Sequence, residues 1–282
     1  MRVQIPRFSD GLGPMTILPA VWDVLSAATA RAAGATHLFL SGAAVNNVHG
    51  YPDRGLLDTE DFARVVRQIT NATGLPIMVD AEAGFGGMPK FGRLLDELSS
   101  AGCNAIMIED QDEAGATKTV GLEQRLCDPQ VMVDRIAFIR RHFGDEFQIL
   151  ARTDYLLHMD FEESLQRLAA YEEAGADWVV PVFAPSKESL QEAAVRFPDR
   201  LMVLAASPPV NGAMKYVTRW EDMQEIQPVA VQVTGEYRNV VPPLQEAYRQ
   251  ALDGRWTTLF ENRPDPVWFD EMLGLNRPLM EG

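Results

Sequence analysis

The sequence predicts a (β/α)₈ TIM barrel, the α/β fold in which eight parallel strands alternate with helices. Eight short apolar runs alternate along the chain with segments of helical periodicity. The runs are apolar throughout, which is typical of strands buried on both faces. The chain of 282 residues suits such a barrel, which needs about 250. The Gly-x-Gly-x-x-Gly turn of an open nucleotide-binding sheet is missing from the sequence, which favours the closed barrel.

Each predicted element follows from the position of these runs. The strands are predicted at 16–20, 37–40, 77–80, 105–108, 148–151, 178–181, 201–205 and 229–233. Helices are predicted at 24–33, 59–73, 88–101, 129–143, 161–174, 187–197 and 240–252. We expect a barrel domain over residues 1–254. A C-terminal extension over 255–282, with a short amphipathic piece at 267–273, is expected to pack on the barrel or on a neighbouring subunit.

Composition excludes several kinds of partner. A net charge of −15 and a sequence pI near 4.7 argue against nucleic acid and against anionic membranes. The two cysteines provide no disulfide framework and suit a reducing compartment. The first residues lack the apolar core of a signal peptide, and no run reaches the roughly 18 apolar residues of a membrane span. We therefore predict a soluble cytoplasmic protein.

Acidic residues follow two neighbouring strands at the end where barrel enzymes bind their substrates. Asp80 and Glu82 end the third strand and Glu109 ends the fourth. Asp80 and Glu82 are two residues apart, so they point the same way if the strand pleat persists. Oxygen ligands suit Mg²⁺, and the three acids could hold it directly or through water. The alternative is that they cap helices or pair with Arg152.

Two further strand ends suit a carboxylate ligand. Arg152, after the fifth strand, carries a planar fork of donors that matches a carboxylate, or it forms a structural ion pair with a barrel acid. Ser41, Gly42 and Ala43 follow the second strand and offer small side chains with backbone N–H groups; the alternative is an ordinary strand-to-loop turn.

Six motifs, taken together, resemble the isocitrate lyase / phosphoenolpyruvate mutase superfamily, with 2-methylisocitrate lyase-like, oxaloacetate decarboxylase-like and phosphonomutase-like subgroups. They occur in the expected order and cover most of the chain. They are LPAVWD at 18–23, LSGAA at 40–44, PD at 52–53, VDAEAGFG at 79–86, IEDQ at 108–111 and LARTD at 150–154.

The resemblance implies a Mg²⁺-dependent barrel, with Mn²⁺ as an alternative ion, that acts on small α-keto or α-hydroxy acids through a pyruvate-type enolate. It implies a homotetramer, a dimer of dimers, whose subunits exchange the last barrel helix. The implied metal residues are Asp80, Glu82 and Glu109. The implied catalytic and substrate-binding residues are Asp53, Arg152, Ser41, Gly42 and Ala43. Trp22, which follows the first strand, is a further substrate-binding candidate. Glu236 and Arg238 are expected to bind the substrate and recognise it, or to pack against an exchanged helix.

The loop after the IEDQ motif departs from the family pattern. The lyases carry a cysteine there as proton donor, whereas residues 112–121 contain none. Lys118 is then the candidate general acid, or a charge that neutralises a second substrate carboxylate, or a solvated loop residue. The leading hypothesis is a lyase or decarboxylase that cleaves a C–C bond. The alternatives are phosphorus–carbon chemistry, which the Lys118-Thr119 pair faintly supports, and a barrel that binds metal and keto acid without turnover.

Overall fold

The computed structural model describes residues 4–53, 55–112, 125–154, 160–205, 216, 218–261 and 263–274, apart from the side chains of Glu236 and Phe260. Eight parallel strands form one sheet in the order β6-β5-β4-β3-β2-β1-β8-β7. A parallel bridge between Val179 and Leu201 joins β6 to the start of β7 and brings the sheet close to a full circle. The predicted barrel is confirmed. The strands are β1 Thr16–Val21, β2 Leu38–Leu40, β3 Ile77–Asp80, β4 Ala105–Glu109, β5 Gln148–Asp154, β6 Trp178–Val182, β7 Met202–Ala205 and β8 Ala230–Val233.

Helices follow the strands and cover the outside of the barrel. Two of the predicted helices, α3 and α5, begin and end at the predicted residues, and the others differ at their ends by one residue. The helices are α1 Val24–Ala32, α2 Gly42–Val48, α3 Thr59–Thr73, α4 Met88–Ser100, α5 Pro129–Phe143, α6 Phe161–Glu173, α7 Lys187–Arg196, α8 Trp220–Ile226, α9 Glu236–Asn239, α10 Val241–Leu252, α11 Trp256–Glu261 and α12 Pro266–Leu273.

Two hydrophobic cores lie on the two faces of the strands. The larger lies between strands and helices, and the smaller fills the barrel interior with side chains such as Leu18, Met107 and Leu150. Phe8 closes the N-terminal end of the barrel, where it is fully buried and makes edge contacts with His37 and Trp178. The strands terminate at the opposite end, where Asp80, Glu109 and Asp154 are their last residues.

The C-terminal helices differ in how they pack. On α1, Arg31 donates from Nη2 to the carbonyl of Met272 on α12 at 2.8 Å, so α12 lies against the barrel. Helix α10 buries none of its residues within the chain, and Val241, Leu244, Tyr248 and Leu252 are all exposed on it. Among the described helices, none has the length and apolar character that a membrane crossing requires.

Candidate active site

Three neighbouring strands end in charged residues that lie side by side. Asp80 is the last residue of β3, Glu109 the last of β4, and Arg152 lies near the end of β5. The parallel register pairs Glu109 directly with Arg152. All three lie at the C-terminal rim of the barrel, where this fold places its active sites.

Arg152 is held by two carboxylates. Its Nε and Nη2 donate to the two oxygens of Asp154 at 2.7 Å and 3.0 Å, a bidentate arrangement that fixes the guanidinium plane. Its Nη1 lies 3.0 Å from Oε2 of Glu109. The structure thus contains the ion pair that the sequence left open as an alternative role for Arg152. Asp154 and Glu109 together engage all three guanidinium nitrogens, so a ligand carboxylate would use the second N–H of Nη1 and of Nη2.

Asp80 organises the chain reversal after β3. Its Oδ1 accepts from the backbone N–H of Glu82 at 3.1 Å, an Asx-type turn, and its Oδ2 accepts from the N–H of Gly42 at 3.2 Å. The pleat does not continue to Glu82, because β3 ends at Asp80 and Glu82 has a left-handed backbone with φ of 53°. The expectation that a persisting pleat aligns the two acids is therefore wrong; the turn brings them together instead.

Gly42 lies directly against both carboxylates. A β-carbon built on it would lie 2.9 Å from Asp80 Oδ2 and 3.1 Å from Cδ of Glu82, and it would overlap Oε1 of Glu82. Only glycine leaves room for the two acids at this position. Oδ2 of Asp80 and Oε1 of Glu82 therefore converge on the same face of Gly42.

The ionisable groups at the rim shift one another's pKa. Burial raises the pKa of Glu109 well above its usual range; Arg152 opposes this, while Asp80, Asp154 and Asp53 add to it. Burial disfavours the charged form of Arg152, but Asp154 and Glu109 outweigh it and raise its pKa well above the ordinary value. Arg152 therefore stays cationic, and the neighbouring carboxylates disfavour the charged form of Glu109, which a bound cation would stabilise.

This donor set fits a hard divalent cation that keeps part of its water shell. The side chains of Asp80 and Glu82 supply oxygen donors that converge beside Gly42, and the buried Glu109 carboxyl is a group whose charged form an added cation would stabilise. Within the part of the chain that the structure describes, no three His, Cys, Asp or Glu side chains lie close enough to hold an ion together. Direct ligation by one or two acids, with water bridging to the others, is the arrangement that this spacing allows.

The other predicted residues are placed as follows. Ser41 caps α2 by accepting from the N–H of Ala44 at 3.3 Å, and Ala43 lies in the same first turn. Asp53 is half-buried and acts electrostatically on Glu109. Trp22 makes an edge contact with Tyr237, with ring centroids 6.3 Å apart.

Three predicted residues receive less support. Arg238 is exposed and donates from Nε to the hydroxyl of Tyr237 at 2.9 Å, so its guanidinium is engaged beside Trp22 rather than among the acids. Lys118 and the side chain of Glu236 lie outside the described residues. Their roles stay predictions.

Sequence reasoning missed two buried polar residues that support the predicted ones. Asn46, on α2, donates from Nδ2 to Glu82 Oε1 at 3.4 Å. Gln111 donates to Asp154 Oδ2 at 2.7 Å and so supports the residue that clamps Arg152. Gln111 and Asp154 are the last residues of the IEDQ and LARTD motifs, so the motifs themselves could have indicated that these two residues belong to the site.

Asp110 belongs to the IEDQ motif, but its contacts are with the strand and helix behind the rim. Its Oδ2 accepts from Thr153 and from Tyr171, both at 2.8 Å, and lies 3.4 Å from Arg167 on α6. Burial raises its pKa to about 6, against the opposing effect of these hydrogen bonds. Asp110 thus joins β4, β5 and α6 behind the rim.

Neither Cys103 nor Cys127 lies among residues 112–121, where the lyases carry their proton-donating cysteine. Burial raises the pKa of Cys103 to about 12 and that of Cys127 to about 11, with Asp110 adding to the second shift. Both thiols stay protonated near neutral pH.

Comparison with known proteins agrees with this architecture. Residues 11–233 match the family model described as phosphoenolpyruvate phosphomutase. The chain belongs to this family, within the isocitrate lyase / PEP mutase superfamily.

Two curated relatives and one solved structure illustrate the similarity. The chain is 36% identical over 156 residues to 2-methylisocitrate lyase of Vibrio cholerae, covering 54% of this chain and 50% of that protein. It is 32% identical over 183 residues to 2,3-dimethylmalate lyase of Eubacterium barkeri, covering 63% of this chain and 61% of that protein. A crystal structure of 2,3-dimethylmalate lyase superposes with a TM-score of 0.76 at 25% identity, covering 95% of this chain and 93% of that one. The matched segments thus span about half to three fifths of the curated relatives' length.

Proposed function

We propose that this protein is a Mg²⁺-dependent lyase that cleaves a C–C bond, or decarboxylates, in a small α-keto or α-hydroxy di- or tricarboxylic acid. The observation that carries the proposal is the rim itself. Arg152, held by Asp154 and Glu109, lies at the same rim as the two acids that converge at the end of β3, Asp80 and Glu82. Similarity to proteins named 2-methylisocitrate lyase and 2,3-dimethylmalate lyase supports C–C cleavage.

Arg152 would bind the substrate's carboxylate through the N–H groups of Nη1 and Nη2 that Asp154 and Glu109 do not use. Ser41, Gly42 and Ala43, in the first turn of α2, would line the same carboxylate from the side of β2. A cation held by Asp80 with Glu82 and Glu109 would supply Lewis-acid stabilisation of the negative charge that develops on the pyruvate-type fragment as the bond breaks.

Two groups are proposed for proton movement. Asp53 is half-buried and electrostatically coupled to Glu109, so it is close enough to influence a group bound at the rim. Lys118 would deliver the proton that quenches the enolate, or would neutralise a distal carboxylate. Its role rests on the sequence alone.

A panel of substrates tests the proposal. The protein with Mg²⁺ would be incubated separately with oxaloacetate, 2-methylisocitrate, 2,3-dimethylmalate and phosphonopyruvate, with products followed by mass spectrometry and ³¹P NMR. We expect pyruvate, or another two- or three-carbon acid, from one of the first three. A change confined to phosphonopyruvate would favour phosphorus–carbon chemistry, which the family model supports. No turnover of any of the four, with Mg²⁺ bound, would favour the non-catalytic binding barrel.

We also propose that the chain assembles as a homotetramer through α10. The stripe Val241, Leu244, Tyr248 and Leu252 lies along one face of this helix and is exposed within the chain. Light scattering after size exclusion tests this. Leu244→Lys is expected to yield smaller species, while Gln250→Lys on the opposite face of α10 leaves the assembly intact. Equal masses for both variants and the parent would reject α10 as the interface.

A further inference from the structure

Asn46 is a polar side chain whose burial needs an explanation. It lies on α2, one turn after Gly42, and is fully buried. Its Nδ2 donates to the carbonyl of Gly42 at 2.9 Å and to Oε1 of Glu82 at 3.4 Å. Because both partners are acceptors, the atom facing them must be the amide nitrogen, and the other atom is therefore Oδ1.

Oδ1 of Asn46 has no hydrogen-bond partner among the described residues, although it is buried. A carbonyl oxygen of this kind accepts and cannot donate. Buried acceptors without a donor are costly, so native structures rarely retain one unless a water, an ion's water shell or a ligand supplies the donor. The orphaned oxygen therefore indicates that a donor occupies the space beside Asn46 Oδ1.

Glu82 depends on Asn46 for its position. Its backbone is left-handed, and Gly42 confines its carboxylate on one side with no room for a side chain. Asn46 Nδ2 holds Oε1 from the helix side. The Glu82 carboxylate is thereby kept next to Oδ2 of Asp80, whose own position is set by the N–H of Gly42.

We propose that Asn46 is a positioning residue of the cation site, with two functions in one side chain. Nδ2 fixes the Glu82 carboxylate beside Asp80, and Oδ1 accepts a hydrogen bond from a water molecule that accompanies the cation. The inference rests on the proposed function, since it requires that a divalent cation binds between these acids.

Mn²⁺ binding to the whole protein, measured by the loss of the free Mn²⁺ EPR signal, tests the proposal without any turnover. Asn46→Ala is expected to weaken Mn²⁺ binding about tenfold or more, as removal of groups that orient metal ligands does. Asn47→Ala is the matched control. Asn47 is the next residue on α2, but it is exposed and donates to the carbonyls of Ala43 and Tyr51. Its replacement should leave Mn²⁺ affinity unchanged.

A double-mutant cycle identifies the coupling to Glu82. Glu82→Asp withdraws the carboxylate from Asn46 by one methylene, so in that background Asn46→Ala should have a much smaller effect than it has alone. Independent, additive effects would overturn the positioning role. Circular dichroism monitors folding, and Asn46→Ser, which cannot span the distance to Glu82, serves if the alanine variant fails to fold.

The wild-type measurement separates this inference from the proposed function. If the wild-type protein binds no Mn²⁺, the cation site itself is rejected and the inference falls with it. If the wild type binds Mn²⁺ and Asn46→Ala binds it equally well, only the role of Asn46 is overturned. A loss of affinity in Asn46→Ala, with Asn47→Ala unaffected, supports both.

Discussion

Nη1 of Arg152 lies 3.0 Å from Oε2 of Glu109, and the two residues stand directly opposite each other in the parallel register of β4 and β5. The Glu109 side chain is 1% exposed, so this pair is shielded from bulk water. The guanidinium is thus placed by two strands at once, between a carboxylate on its own strand and one on the neighbouring strand.

Arg152→Lys should preserve the positive charge and lose the planar fork. An ammonium cannot hold Asp154 at two points and present a second edge to a carboxylate. We expect kcat/KM to fall by about 10- to 100-fold, the equivalent of roughly one hydrogen bond to a charged group. Steady-state kinetics with Arg93→Lys, an exposed ion-pairing arginine, provides the control. Equal activity in both variants would remove Arg152 from the substrate site.

Asp154→Asn tests whether the clamp orients Arg152. The asparagine amide has one acceptor oxygen, whereas both oxygens of Asp154 accept from Arg152. The hydrogen bond that Gln111 donates to Asp154 is weakened or lost as well. KM should rise more than kcat falls, because the arginine remains present but is less well oriented. The matched control is Asp177→Asn, which weakens the ion pair with Arg140 on the outside of the barrel. That variant should lose thermal stability without changing KM; a KM change of the same size in both would show that the effect is only structural.

Gly42→Ala places a methyl group where the carboxylates of Asp80 and Glu82 lie. We expect a loss of about 1–3 kcal/mol of folding stability, typical of overpacking, together with weakened cation binding. Thermal unfolding and Mn²⁺ titration measure the two effects. Gly13→Ala has nothing within 4 Å of the added carbon and should change neither. Tight Mn²⁺ binding by Gly42→Ala would contradict the convergence of the two acids beside Gly42.

The burial of His37, away from the active site, predicts that the folding stability of the protein depends on pH. Burial lowers its pKa, and the hydrogen bonds to the carbonyls of Phe8 and Asp10 and the charge of Asp10 only partly oppose this. In the window between the lowered folded pKa and the unfolded value near 6.5, the unfolded chain binds a proton that the folded chain does not.

The stabilising contribution of neutral His37 is therefore present in full above pH of about 6.5 and is lost as the pH falls below that value. Melting temperatures between pH 7.5 and 5.5 measure the slope, and His37→Gln, which keeps an N–H donor, should show a shallower one. Parallel slopes for the two proteins would show that His37 does not contribute.

The barrel could be predicted from the sequence because short, continuous apolar runs that alternate with helical segments are typical of parallel strands buried on both faces. Helix α2 was missed because Gly42, Asn46 and Asn47 give it poor helical propensity, so it resembled a loop. Its formation depends on the Ser41 cap and on packing beneath the rim, neither of which periodicity reveals.

The candidate site was predicted by residue type and strand end more successfully than by geometry. Asp80, Glu109 and Arg152 lie together as their strand positions imply. Glu82 reaches the same place by a left-handed turn, which a rule for strand pleats does not anticipate. Asn46 carried no sequence signal, because its role comes from a contact between α2 and the turn after β3.

The most direct test of the central claim is the titration of oxalate, a planar dicarboxylate that resembles a pyruvate enolate, into the protein by calorimetry. With Mg²⁺ present, the wild-type protein should bind oxalate, and removal of Mg²⁺ with EDTA or the Asp80→Asn change should abolish the binding. Oxalate that binds equally well with Mg²⁺ and with EDTA, or not at all in either, would contradict a cation held at the barrel rim beside Arg152.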